Sequence, residues 1–482
     1  MCLPPPDLPP QVGEEQKNET SGGGKGEATG GGGTFPRPWR ERVRVRGAGG
    51  GGVRFYLTSR NHGQYAQAMK DNISGPEIKY IKRRLAQKIR EAIKSFPVIV
   101  VSGARQVGKS TMLKNEFSDF FYYTMDDFTT LEAAHVDPFS LWKDKDLVII
   151  DEAQKMPGVF NAIKLTVDSD RNRRFIISGS ANLLLMEKIT ESLAGRALYF
   201  DLLPMTYGET SGSLFPANFP SLLEVGETKL PKSVDYIDPI PFLMRGFMPP
   251  TLTLEEHREV LTWLEGYTKT YLERDLRGLS QVESLIDFRK VMQVLALRTG
   301  NVLNQADVAK DSGVSHPTTH RYIRLLEVSN IVQRVGPFFS NRTKRIVKSP
   351  KIFFVDPALS VFLAGYYDKE SLLKARESGG FFETMVYLHL RSVCETMTPK
   401  AVLHYWRLTT GREVDFVVEH GRRLLAIEVK MTGNPTVRDI NNLLIFLQEY
   451  PETALGILLN SGDAVKWLHS RVVTVPWWWL DL

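Results

Sequence analysis

Cysteine is nearly absent from this sequence: Cys2 and Cys394, at opposite ends of 482 residues, are the only two. Two cysteines alone make neither a disulfide framework nor a four-ligand zinc site, which fits a reducing compartment such as the cytoplasm. Long apolar runs are missing too. PVIVVSG and LVIID are strand-length, far short of the roughly 20 residues that span a bilayer. The opening MCLPPPDLPP lacks the apolar core of a secretory signal, so a cytoplasmic protein with no membrane partner is expected. There is no internal repeat and no strong charge of one sign. Lys and Arg number 61 against 55 Asp and Glu, a net +6 that permits a polyanionic partner without demanding one.

Present instead are 42% hydrophobic and 24% charged residues, enough for a substantial core and for about two to four domains. Residues 1–75 stand apart: glycine tracts (GGGKGEATGGGG, RGAGGGG) flank the basic run RPWRERVRVR. Such a segment buries too little apolar surface to offset its ordering entropy and is expected to be disordered. It also admits reading as a nucleic-acid-binding arm. Met69 is a natural alternative start, which would leave residues 1–68 untranslated. Order is expected from EIKYIKRRLAQKIREAIKS, where Ile78, Ile81, Leu85, Ile89 and Ala92 share one helix face. The runs PVIVVSG, FFYYTMDD, LVIIDE, RFIISGS and ALYFDLL then alternate with helical stretches, predicting a parallel α/β sheet to about residue 210. Residues 211–255 read as connecting structure.

The stretch Gly103–Ser110, GARQVGKS, follows a strand and opens a helix, the setting in which G-x-x-x-x-G-K-[ST] cradles phosphate. Gly103, Ala104, Arg105, Gln106, Val107, Gly108, Lys109, Ser110 and Thr111 would line the phosphates of ATP. Lys109 would reach the β- and γ-phosphates and Ser110 would ligate Mg2+. In LVIIDEAQ, four apolar residues end in Asp151, a metal ligand candidate, and Glu152, placed to polarise an attacking water. A helix-terminal acidic pair is the structural alternative. RFIISGSAN ends its strand in Ser178, Ser180 and Asn182, with Ser180 preferred as a γ-phosphate sensor. Arg196 is a candidate finger for a neighbouring subunit, if the chain forms a homo-oligomer.

From Asp287 the pattern is helix, helix, tight glycine turn, helix, then two strands, the order of a winged helix-turn-helix. Ser315 is a fitting N-cap. Tyr322, Ile323 and Leu326 are expected to pack inward, leaving His316, Thr318, Thr319 and Arg321 for DNA. The wing would carry Arg342, Lys344, Arg345 and Lys348 as phosphate contacts. An intramolecular strut with a solvated basic loop is the alternative.

EVDFVVEHGRRLLAIEVK reads as a hairpin. Glu428 and Lys430 share a strand face, with Ile427 and Val429 on the other. A turn at His420-Gly421 would set Asp415 diagonal to Glu428. A four-residue loop would set them opposite, and a three- or five-residue loop would separate them. With Glu383 on the preceding helix, Glu…Asp…Glu-x-Lys is the constellation of the PD-(D/E)xK nuclease fold, two carboxylates for Mg2+ and a lysine for the developing charge. An exposed ion pair is the bland alternative.

In VVSGARQVGKSTML, LVIIDEAQK, IISGSANLLL, SLAGRALYFDLLPMTYGE, YLERDL, SPKIFFVDPALSVFLAG and YWRLTTGREVDFVVEHGRRLLAIEVK, the chain resembles a family of bacterial and archaeal AAA-type P-loop ATPases. Their C-terminal domain, of unknown function, is related to restriction endonucleases. The resemblance implies ATP binding, hydrolysis, and a winged helix between two α/β domains. Ala104, Ser110 and Arg245 stand where the family usually has proline, threonine and glycine. The expected organisation is a disordered segment 1–75, an AAA-type P-loop ATPase 76–225, a helical lid 226–285, a winged helix 286–365 and a nuclease-like α/β domain 366–482. The expected function is Mg2+-dependent ATP hydrolysis coupled to DNA binding. An ATP-gated Mg2+-dependent nuclease and a non-hydrolysing ATP-switched scaffold are the alternatives.

Overall fold

A computed structural model describes residues 80–179, 193–216, 218–225, 230, 234–270, 282, 284–339 and 349–482. The chain divides into Met1–Pro76 and Glu77–Leu482, and everything below concerns the second unit.

Five short strands form a parallel sheet: β1 (Val98–Ser102), β2 (Phe121–Thr124), β3 (Leu147–Asp151), β4 (Arg174–Ser178) and β5 (Ala197–Asp201), the inner β1, β3 and β4 being almost wholly buried. Their order is β2-β3-β4-β1-β5, all parallel. Helices α1 (Arg84–Ala92), α2 (Lys109–Glu116), α3 (Phe128–Val136) and α4 (Val159–Ser169) accompany it. Helix α1 begins later than its apolar spacing predicts: Ile81 precedes it, packed at the margin of the C-terminal core, and Ile78 lies outside the described residues. The stretch expected to be mere connection holds short helices at Asn218–Val225, Ile240–Arg245 and Pro249–Leu252, and another, Tyr207–Thr210, comes just before it. Arg245 ends one of them and donates to the Glu255 carbonyl at 3.1 Å, tying down the loop after it.

Helix α5 (His257–Tyr267) leads to a three-helix group: α6 (Leu285–Ala296), α7 (Gln305–Ser312) and α8 (His316–Val328). Asn304 caps α7, left-handed Gly313 ends it, and Ser315 caps α8. The antiparallel pair β6 (Val332–Pro337) and β7 (Lys351–Phe354) follows. After α9 (Pro357–Leu363), the long α10 (Ser378–Thr396) precedes β8 (Val402–Arg407), β9 (Glu413–His420) and β10 (Arg423–Lys430). Helix α11 (Asn441–Glu449) crosses to β11 (Thr453–Asn460), and β12 (Lys466–His469) and β13 (Val472–Pro476) complete the sheet. Its order is β12-β13-β11-β10-β9-β8-β6-β7. One sheet therefore runs across the expected boundary at residue 365, joined where Gly336 and Pro337 of β6 pair with His404 and Tyr405 of β8. One core joins this sheet to α10 and to Leu203, Met205, Phe219, Leu222 and Leu223, which follow β5; another lies under α11.

The phosphate loop and a second polar cluster

The loop after β1 has the backbone a phosphate cradle needs. Gly103 sits at φ +147, and a Cβ there would lie 2.3 Å from the Leu202 carbonyl oxygen, so only glycine fits. Gln106, not glycine, is also left-handed, at φ 65, strain of the kind that collects at functional loops. Lys109 is buried, and its ammonium donates to the carbonyls of Gly103 and Ala104, both at 2.9 Å. The Arg83 guanidinium straps the loop, donating to the Val107 carbonyl at 2.8 Å and the Leu203 carbonyl at 2.6 Å. Tyr267 of α5 donates to the Arg105 carbonyl at 3.3 Å.

Asp151 ends β3, buried, accepting from the Tyr122 hydroxyl and, at 3.1 Å, from the Glu152 amide. Burial, and then its contact with Asp151, pushes the Tyr122 phenol above its ordinary value. Glu152 is left-handed at φ 52 and takes a hydrogen bond from the Gln154 amide. Burial, above all, pushes its carboxyl up from the usual range. Beside Asp151 in the sheet, the Ser178 hydroxyl is fully buried with no hydrogen-bond partner. The glycine-only cradle, the lysine held on loop carbonyls and this orphaned hydroxyl fit a bound nucleoside triphosphate with its metal.

Two expected site residues are not brought to this loop. Ser180, with Asn182, lies outside the described residues. Arg196 precedes β5, at the sheet edge opposite the phosphate loop, and forms a bidentate pair with Asp168 at 2.6 and 2.8 Å. That pairing ties the end of α4 to β5. Tyr122 and Arg83 escaped sequence reasoning because nothing in FFYY or KRR marks one ring or guanidinium as aimed at the loop.

Burial lowers Lys109 to about 8, only partly opposed by the nearby charges of Glu152 and Asp151. A bound triphosphate favours the ammonium and raises that value again, so binding takes up protons above pH 8. ATP affinity should fall as pH rises through that range, with uptake approaching about one proton per ATP. Calorimetry in two buffers of different ionisation enthalpy measures the uptake directly.

The hairpin of β9 and β10 pairs His420 with Arg423, so the turn is Gly421-Arg422, not His420-Gly421. The ladder stops at Phe416 opposite Ile427; one further step sets Asp415 opposite Glu428, the register a four-residue loop implied. Asp415 instead uses its carboxylate to accept the Val429 amide at 2.9 Å. Glu428 is buried, one oxygen 2.7 Å from the Lys430 ammonium and the other without a partner. Its carboxyl is pushed up to about 8, chiefly by burial and then by the charge of Asp415. Glu383 on α10 joins through a residue that sequence reasoning missed. The buried Lys351 ammonium lies 2.8 Å from Glu383 and 3.4 Å from Asp415, and pairs with Glu413. Glu413 was legible, two residues before Asp415 on a strand. Lys351, opening the strand KIFF, was not, because lysines at strand ends usually reach water. Among the described residues no three His, Cys, Asp or Glu side chains are grouped to hold a metal.

At the start of α8, His316, His320 and Arg324 are exposed, and Tyr322, Ile323 and Leu326 are buried. Thr319 is buried as well, its hydroxyl directed at the Val314 carbonyl, so it is not available to DNA as expected. Arg342, Lys344, Arg345 and Lys348 fall outside the described residues.

A parallel sheet with a phosphate loop after β1 and an acidic pair after β3 defines an AAA-type P-loop domain, and residues 95–211 match the family described as "AAA domain". Residues 240–370 and 378–480 match two domains of unknown function, DUF8612 and DUF4143. The chain is 29% identical over 399 residues to the uncharacterized proteins Mb2031c of Mycobacterium bovis and Rv2008c of Mycobacterium tuberculosis, covering 82% of this chain and 83% of each. The uncharacterized protein MJ1544 of Methanocaldococcus jannaschii is 22% identical over 62% of this chain and 68% of its own. Among solved structures, the Walker-type ATPase paby2304 of Pyrococcus abyssi is 17% identical, with 60% of this chain and 99% of that one covered and a TM-score of 0.39. No helix among the described residues is long and apolar enough to cross a membrane.

Proposed function

We propose that this chain binds ATP at residues 103–111 and hydrolyses it, coupling the cycle to nucleic-acid binding. The observation that carries the reading is the glycine-only loop that places Lys109 and Ser110 at the start of α2, with the charges of Glu152 and Asp151 near the Lys109 ammonium. The first turn of α2 offers amides and a positive dipole end to phosphate. Lys109 would exchange its two carbonyl acceptors for phosphate oxygens. Ser110 and Asp151 would hold Mg2+, which supplies charge neutralisation when bound. Glu152 would orient and deprotonate the attacking water, burial making its carboxylate a stronger base than a solvated one. Ser178 is the sensor candidate within the described residues. The group α6–α8 with β6 and β7 has the element order of a winged helix, and its exposed His316, His320 and Arg324 are the side chains it would offer a nucleic acid.

Glu152→Gln should leave ATP binding intact and slow turnover by about 100-fold or more. Phosphate release measured with and without single- and double-stranded DNA tests both parts. Stimulation by DNA supports the coupling, and equal rates in both conditions remove it.

A second reading is that the C-terminal sheet is a nuclease fold. It is favoured by the order α10, β8, β9, β10, α11, β11 and by the register that sets Asp415 opposite Glu428-x-Lys430. That fold would account for Asp415, Glu428, Lys430 and Glu383 standing near one another.

A further inference from the structure

The cluster in the C-terminal domain already contains a cation, and it comes from another part of the chain. Lys351 opens β7, the second strand of the hairpin that follows α8, and its side chain is 1% exposed. Around its nitrogen stand Glu383 from α10 and Glu413 and Asp415 from β9, with the Tyr405 ring on a further side, its centroid 5.8 Å away. Three carboxylates from two separate elements converge on one point, yet as they stand they are not grouped to hold a metal ion. Here an ammonium occupies that point.

The lysine is fixed by its backbone. Its neighbours are pinned to the loop after α6: Leu303 donates to the Pro350 carbonyl at 2.8 Å, Gly300 to the Ile352 carbonyl at 2.8 Å, and Ile352 to the Asn301 carbonyl at 3.1 Å. The carboxylates keep the buried ammonium charged, against the desolvation that alone would neutralise it. One acid of the set remains incompletely satisfied: Glu428 has a buried oxygen with no hydrogen-bond partner.

We propose that Lys351 is the resident cation of this cluster, gathering Glu383, Glu413 and Asp415 as a divalent ion does elsewhere, so that the native chain takes up no divalent cation at Asp415. A metal entering there would bring two charges beside a fixed third, with Glu383, Glu413 and Asp415 already paired to the lysine. Removing the ammonium would leave Glu383, Glu413, Asp415 and Glu428 facing one another and create the metal site. The C-terminal domain is then a nuclease-like frame whose electrophile has been replaced by a side chain of the hairpin, locking that hairpin to the sheet. The inference does not rest on ATP binding, because the cluster shares no residue with the phosphate loop.

The test is Mn2+ binding to the nucleotide-free full chain, followed by electron paramagnetic resonance. Wild type and Asp415→Asn should give the same isotherm. Lys351→Met should gain a site at least tenfold tighter, which disappears in Lys351→Met combined with Asp415→Asn. A tight site in wild type that Asp415→Asn abolishes overturns the proposal, and this comparison does not need the Lys351 variant to fold. A folded Lys351→Met protein that gains no Mn2+ overturns it equally.

Discussion

Replacing Lys109 with alanine should abolish ATP hydrolysis and weaken ATP binding while leaving the protein folded. In the nucleotide-free chain the Lys109 ammonium is buried, held on the carbonyls of Gly103 and Ala104, and depressed by desolvation to about 8. It is thus a charge stored at a cost, with no carboxylate in direct contact, and it is repaid only when phosphate arrives. Deleting it relieves a buried charge, so the melting temperature should not fall. What is lost is the cation that stabilises developing phosphoryl charge, about 100- to 1,000-fold in turnover by analogy with removal of other preorganised donors. Phosphate release and a melting curve on the same sample check both halves. A variant that loses activity because it unfolds would contradict the account of Lys109 as a stored charge.

Asp481→Ala should destabilise the unit by about 3–5 kcal/mol, the usual result of stranding a buried charge. Asp481 is the penultimate residue, yet it and Arg84 at the start of α1 have side chains only 1% and 2% exposed. The Arg84 guanidinium binds both the carboxylate and the main-chain carbonyl of Asp481 and donates to the Ser213 carbonyl at 2.7 Å. The other Asp481 oxygen accepts the Gly208 amide. A Cβ at Gly208 would lie 2.1 Å from the guanidinium and from the Asp481 carbonyl, so glycine is needed for the approach. The C-terminal residues are thereby clamped onto the ATPase side, with Trp477, Trp478 and Trp479 in the shared core. Melting should drop by roughly 5–10 °C in the single variant. The double variant Arg84→Met, Asp481→Leu should recover much of the loss, since a hydrophobic pair replaces a buried ion pair at little net cost. Equal melting of wild type and Asp481→Ala would show that the clamp contributes nothing.

These two sites differ in how far the sequence announces them. The phosphate loop is local: its glycines, lysine and serine fall within eight consecutive residues between a strand and a helix, and the five parallel strands were legible as short, largely apolar runs. The hairpin register was legible in part. Strand parity linked Asp415, Glu428 and Lys430, but the turn lay one residue further on, because His420 closes the ladder and leaves Gly421, at φ 66, as the first turn position. The contacts made at long range were silent. Lys351 meets Glu383 and Asp415 across 32 and 64 residues, and Arg84 meets Asp481 across 397. Periodicity reports which face is buried; it does not report which buried charge will find which partner. The merging of β6 and β8 into one sheet was hidden for the same reason, since it rests on two residue pairs, Gly336 with His404 and Pro337 with Tyr405.

The central claim is that the loop at Gly103–Ser110 serves ATP turnover. Phosphate release from ATP by the purified full chain, with Mg2+ and with DNA present and absent, tests it most directly. The account predicts release that ceases on chelation of the metal and in Lys109→Ala. No release by wild type under either condition, or release unchanged in Lys109→Ala, would contradict it.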